Sequence, residues 1–357
     1  MPSAQRKKIM GNSNSGAIIH DAEQKQRKLQ VLKKVDDFPI TLRQTIADAK
    51  EEDAEIFLSI VEKRLVDILY GNEGRGLDCD RDTEVQVETA ITLFPQALGE
   101  EYWGIHPPIY AQLAYLKSAP FIPILAELGI KANQFQEEER GGLFYREWNV
   151  LRSLVNDDWR EWYDEDDEHQ QKLVEANYMF VIRSLQRMGI LRKEDIADHG
   201  LLREMFSRHS FREEAFRCLV DWNPNCFKES CTVKGSNTHS QLSIYRESMF
   251  LGEIRIFRTV FELGMLHYPA EIAFLFHRES DGRTPFDMAC ERYGIQNVFR
   301  IVRDALAIRD NQNFDSSTEV WMADALINAA SNPAVHLDGV YFLFRREPGW
   351  YCSATVG

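Results

Sequence analysis

Apolar residues recur along much of the chain at the spacing i, i+3, i+4, i+7 and i+8, which places them on one face of a helix. The clearest row is Val298, Ile301, Val302, Ala305 and Leu306. Ahead of it, Asp281-Gly282 signals a turn, and Thr284 carries the hydroxyl of a helix N-cap. Pro285 follows, where a missing N–H costs nothing. Gly294 closes this first helix by admitting a left-handed conformation, so 281–306 is predicted to be two helices sharing a buried face.

The second row recurs. Its first apolar position is found at Val87, Phe121, Val181, Ala215, Ile256, Val298 and Val340, spaced 34, 60, 34, 41, 42 and 42 residues apart. The long interval falls to the usual value once an acidic insertion after Val155 is set aside. A Gly, Pro or Asn closes six of the seven copies. First helices are legible too: Pro108-Ile109-Tyr110, Ser243-Ile244-Tyr245 and Pro285-Phe286-Asp287 each lie thirteen residues before an anchor. A loop motif also repeats, Leu143-Phe144-Tyr145-Arg146-Glu147 against Leu275-Phe276-His277-Arg278-Glu279. Repetition at such a period predicts an all-α chain in which helix pairs stack as an α-solenoid.

Phe38 to Tyr70 is expected to cap the amino end of this array. Thr41 is placed as the cap of a helix over Leu42–Ala49, and Ile56, Ile60, Val61, Leu65, Ile68 and Leu69 as the buried row of the next. The array spans 38–348, between a flexible basic tail at 1–37 and a short tail at 349–357. The acidic insertion, 156–170, opens N-D-D-W-R-E-W-Y-D-E-D-D-E-H, with eight acids and one Arg beside Trp159, Trp162 and Tyr163. Acids interleaved with aromatics can recruit basic partners, although charge runs are usually solvated.

The stretch D-G-R-T-P-F-D-M-A-C-E-R-Y-G-I-Q-N-V, from Asp281 to Val298, resembles the ankyrin repeat's D-G-x-T-P-L-H-x-A-x-x-x-G-x-x-x-V. Phe121 to Ile130, Arg140-Gly141-Gly142-Leu143 and Val335 to Pro348 resemble divergent ankyrin-like proteins of diatoms, a likeness covering roughly Phe38 to Pro348. The chain departs from the ankyrin pattern at Asp287, Tyr110 and Tyr245, where the usual His would stand. Its first-helix loop is one residue longer, and its period exceeds the ankyrin period. The resemblance implies a degenerate ankyrin-like helix-turn-helix solenoid used for protein contacts, with no catalysis to carry over.

Composition narrows the class. With 44% hydrophobic residues among 357, the chain has ample material for a core. The first 34 residues carry eight Lys or Arg against two acids, a net of +6 that leaves the rest near −20 within the overall −14. Such acidity argues against nucleic acid as the main partner. Arg6-Lys7-Lys8 reads as a solvated basic run, as part of a nuclear import signal, or as a strand of charge resting on an acidic surface, this protein's own included. No apolar run approaches a membrane span or a signal-peptide core, so an intracellular protein, cytoplasmic or nuclear, is expected. Six Cys, with Cys218 and Cys290 on expected buried faces, suit a reducing compartment.

Candidate chemistry is sparse. Asp78, Asp80 and Asp82 stand at positions 1, 3 and 5 of a Ca²⁺ loop running Asp78–Glu84 and beyond, but Thr83 replaces the turn Gly and Thr89 the bidentate Glu. The competing reading makes Asp82 or Thr83 a helix cap. Cys226, Cys231 and His239 offer three zinc ligands without an obvious fourth. No H-E-x-x-H, G-x-S-x-G or phosphate-binding loop occurs, and Arg140-Gly141-Gly142 reads as a turn rather than an RNA-binding box. Trp222 and Phe261 are expected as stacking contacts between neighbouring units rather than a ligand cage. No catalytic, cofactor-binding or metal-binding residue is assigned. The function expected is a noncatalytic scaffold for an unidentified protein partner, met by the loops at 140–146 and 278–283. An enzyme assembled across units and a Ca²⁺-responsive scaffold are the alternatives.

Overall fold

The structure, a computed structural model, describes residues 13–71, 76–100, 106–146, 148–156, 168–206, 211–227, 244, 248–249, 252–268, 275–276 and 282–312. Helices hold 73% of them, as the apolar spacing predicts. The chain forms two compact units, one of Met1–Leu151 with Trp162–Ile190, the other of Arg152–Glu161 with Leu191–Gly357.

The first unit opens with α1 (Ser13–Lys33), α2 (Ile40–Asp48) and α3 (Ala54–Leu69). Where a flexible tail is expected at 1–37, residues 13–33 are helical and α1 packs on α3, so the polar composition misleads there. Basic side chains make the contact. Arg27 donates to the Leu93 carbonyl at 3.1 Å and lies 5.9 Å from the Phe94 ring, and the Lys28 ammonium stands 5.1 Å from the Phe57 ring. Arg27 also faces half-buried Glu62, whose carboxyl burial pushes up and the guanidinium draws back. Thr41 does not cap α2. Pro39 occupies that position, one residue before Ile40, and the Thr41 hydroxyl is buried without a hydrogen-bond partner. On α3 the expected Val61, Leu65, Ile68 and Leu69 are buried together with Phe57 and Leu58, whereas Ile56 and Ile60 are exposed, so the core face is shifted from the expected one.

Next come α4 (Glu84–Leu93), α5 (Pro108–Ala111), α6 (Ile122–Lys131), α7 (Val150–Asn156), of which Arg152 onward belongs to the second unit, and α8 (Glu168–Arg187). Thr83 caps α4 in a capping box with Gln86, each side chain bonded to the other's backbone N–H. Helix α6 is apolar on most sides and packs against α4, α5 and α8. Gln112 donates to the Leu69 and Pro108 carbonyls, fastening the end of α3 to α5. A two-stranded antiparallel hairpin, β1 (Phe144–Tyr145) and β2 (Trp148–Asn149), interrupts the helices.

The second unit holds α9 (Asp195–Asp198), α10 (Leu201–Glu204), α11 (Glu213–Trp222), α12 (Ile254–His267), α13 (Pro285–Tyr293) and α14 (Ile295–Gln312). Phe206, Phe211 and Phe216 form a ring cluster with centroids 5.2–5.5 Å apart. Arg152 pairs with the mostly buried Glu204. Helices α11 and α12 are bound by Arg217 to Glu262 at 3.5 Å and His267 to Asp221 at 2.8 Å. Thr284 caps α13 as its sequence predicts, with Asp287 completing a capping box and Pro285 at the first turn. Gly294 ends α13 at φ 83°, ψ 138°, more extended than a left-handed helix residue, so the chain turns directly into α14. Cys218 and Cys290, expected to be buried, are half-buried, and burial with Asp287 nearby pushes the Cys290 thiol up to about 11. Phe261 lies parallel to Phe257 one turn away, with centroids 6.3 Å apart, a ring contact within α12 and not between units.

The anchors Val87, Phe121, Val181, Ala215, Ile256 and Val298 are all buried on or just before helices. The seventh, Val340, lies outside the described residues, as does most of the first-helix segment at Ser243. Helix α4 contacts α6 and α6 contacts α8; in the second unit α11 contacts α12 and α12 contacts α14. Leu125, wholly buried on α6, tests the packing. Leu125→Ala is expected to cost about 3 kcal/mol in urea melts by leaving a cavity, and a loss under about 1 kcal/mol would mean that α6 is loosely held.

Candidate functional site

The Arg140–Arg146 loop is carried by α6. A turn over Glu137–Gly142 follows that helix and doubles back on it, and Gly129 and Gly141 meet so closely that side chains are excluded from both. A Cβ on Gly141 would lie 2.0 Å from the Ala126 carbonyl oxygen, and one on Gly129 would lie 2.9 Å from the Gly141 oxygen. Arg140-Gly141-Gly142 is therefore a structural turn, with Arg140 at φ 43° and Gly141 at φ 68°.

Arg140 is an anchor. Its guanidinium donates to the Ile190 carbonyl at 3.1 Å and lies 5.1 Å from the Phe144 ring. The hairpin follows, with Tyr145 opposite Trp148 and Phe144 opposite Asn149, and the Val150 N–H bonds to the Leu143 carbonyl at 2.9 Å to close its base. A two-residue hairpin turn needs positive φ, which Gly or Asn usually provides. Here Arg146 takes it, at φ 51°, and its exposed guanidinium lies 4.9 Å from the Tyr145 ring. Asn133, Arg140 and Arg146 are the non-glycine residues with positive φ among those described, and all three fall in this one segment. Such strain persists only where the surroundings hold it.

Aromatic rings do the holding. Trp148 meets Tyr110 of α5 edge-on at 4.8 Å and His106 at 5.6 Å, and His106 also faces Tyr70 at 5.6 Å and Tyr110 at 5.4 Å. Tyr145 packs on Phe135 at 5.9 Å. The arrangement fixes Arg140 inward and leaves Arg146 exposed at the hairpin tip beside the Tyr145 ring. Sequence reading singled out Arg140 to Arg146 but missed Tyr70, His106 and Trp148, which no local spacing connects. The companion loop at 278–283 lies mostly outside the described residues; within it, Arg283 pairs with Glu291 at 2.9 Å.

The acids of the Ca²⁺-loop candidate serve other partners. Buried Asp82 accepts from the Ile40 and Asp78 N–H groups, both at 3.1 Å, and from the Arg81 guanidinium at 2.8 Å. Ligand atoms of Asp78, Cys79 and Asp80 gather within 4.8 Å of one another, yet the Lys117 ammonium stands 2.8 Å from Asp80 and 3.8 Å from Asp78. Hydrogen bonding to Asp80 holds the Lys117 ammonium above its ordinary value, while burial and the two acids raise the Cys79 thiol. A lysine thus supplies the positive charge that a cation would bring. Of the zinc candidates, Cys231 and His239 lie outside the described residues, and the buried Cys226 thiol donates to the Asn223 carbonyl at 2.7 Å.

Comparison with known proteins returns no match to this chain, whether among family models, curated proteins or solved structures.

Gly141→Ala is expected to cost at least about 2 kcal/mol, since the left-handed backbone and the Ala126 carbonyl both oppose a Cβ; an unchanged urea midpoint would show that the turn can open. Millimolar Ca²⁺ is expected to give no calorimetric heat, and saturable heat that Asp80→Asn removes would restore the cation loop.

Proposed function

We propose that the chain is a noncatalytic scaffold for protein contacts, an α-solenoid of divergent ankyrin-like helix pairs. The observation that carries this reading is serial contact between the helices that bear or follow the anchors, α4 to α6 to α8 in one unit and α11 to α12 to α14 in the other. Paired helices support it as well: α5 packs on α6 and α13 on α14, as first helices would on second. In such an array each helix pair hides its apolar face against its neighbour, and loops between pairs meet the partner. The Arg146 hairpin is the loop best prepared for that, since its rigid backbone has little entropy left to lose on binding.

Two measurements test the reading. A chain ending at Ile190 should keep its share of helical circular dichroism and melt cooperatively, because nearest-neighbour stacking survives truncation; collapse to an unfolded chain would contradict it. Affinity capture by the tagged full chain from its own cell extract should retain a protein that Arg146→Glu releases by at least about tenfold, with stability changed by under about 0.5 kcal/mol. Capture indifferent to that substitution would remove the hairpin from function.

A further inference from the structure

Helix α1 lies on the first unit through a narrow, largely polar face. From Ile19 onward, the side chains of α1 that lose exposure are Gln24, Arg27, Lys28, Val31 and Leu32, at the spacing i, i+3, i+4, i+7 and i+8. Val31 is the one among them that is fully buried. Adjacent cations make the polar contacts. Arg27 stands over the Phe94 ring and donates to the Leu93 carbonyl at the end of α4, where a helix terminus is partly negative, and half-buried Glu62 of α3 faces it. Lys28 stands over the Phe57 ring and donates to the Glu52 carbonyl. Both rings are buried completely. Glu100 lies within electrostatic reach of Glu62, and Asp53 within reach of Lys25. Helix α1 therefore rests on a groove between α3 and the end of α4, with an aromatic floor, two adjoining seats for cations and an acidic rim.

We propose that this groove is a docking site for a basic helix of a partner protein, with α1 as its built-in occupant and gate. The seats define the ligand: two adjacent Arg or Lys residues, then an aliphatic side chain three positions after the second, as Arg27, Lys28 and Val31 present them. Charge selects it. A basic helix is drawn to a chain of net charge −14, and Glu62, Glu100 and Asp53 focus that attraction on the groove, whereas an acidic helix would meet like charge there. Helix α1 is suited to give way: it holds on by one buried side chain among those described, against six on α3, so it opens at lower free energy than the body beneath it. Because α1 is tethered, it competes at high effective concentration, and a partner must bind more tightly than a free copy of α1 would. The inference depends neither on the Arg146 hairpin nor on a solenoid.

The test is fluorescence anisotropy with a labelled peptide of sequence 19–34. It is titrated with the full-length chain carrying Arg27→Glu and Lys28→Glu, which set α1 against Glu62 and Glu100 and empty the groove. This opened chain is expected to bind the peptide at low salt at least about tenfold more tightly than the unaltered chain, whose own α1 competes. Rising salt should weaken the binding. Adding Glu62→Gln to the opened chain should weaken it at least about threefold, and Val31→Asp in the peptide at least about tenfold. Hydrogen exchange on the unaltered chain gives a second measurement that needs no variant: α1 amides should exchange faster than those of α3. An opened chain that unfolds or takes no peptide overturns the proposal, as does binding that neither Glu62→Gln nor Val31→Asp weakens, or exchange of α1 only at the rate of α3. Dimers of the unaltered chain that Arg27→Glu with Lys28→Glu dissolves would make the occupant α1 of a second copy, and would overturn a separate partner.

Discussion

The approach of two backbones without side chains, at Gly129 on α6 and Gly141 in the turn after it, is the constraint on which the first unit depends. Helix α6 touches α4, α5 and α8, so whatever sets the direction of the chain leaving it also sets where the hairpin lies. Ala126 and Gly129 give the turn room to lie flat on the helix. Any larger residue at Gly141 would need the Ala126 carbonyl to move, and with it the turn of α6 that carries Leu125.

The strain in the hairpin follows from that closeness. Arg140 enters a left-handed conformation because the chain must double back within a few residues of α6, and its guanidinium settles on the Ile190 carbonyl and the Phe144 ring. Left-handed geometry costs an ordinary residue about 1–2 kcal/mol. The rings of Trp148, Tyr110 and Tyr145 offset that cost by fixing both strands, and Arg146 is displayed as a result.

Charge is distributed by similarly local rules. The basic run near the amino end is used partly within the protein: Arg27 meets the Leu93 carbonyl at the end of α4, where a helix terminus carries partial negative charge, and Lys28 lies on the Phe57 ring. At the other sign, Asp82 is buried because two backbone N–H groups and Arg81 satisfy it. Acids and bases that look available in the sequence are in these places committed to holding elements together.

The sequence by itself determined the features that depend on neighbours a few residues apart. Helical content, the caps at Thr83 and Thr284, the end of α13 at Gly294 and the burial of Val87, Val181 and Val298 follow from spacing and turn chemistry. Only the tertiary structure decided which side of α3 faces inward, since Ile56 and Phe57 are equally apolar and the choice belongs to the helices packed against them. The same holds for α1, a polar helix that packs on α3, and for Lys117, which reaches Asp80 from 37 residues away. The aromatic support of the hairpin likewise joins Tyr70, His106 and Trp148 across long stretches of chain. Periodicity encodes which residues are apolar, but contacts between distant segments decide what each apolar face meets.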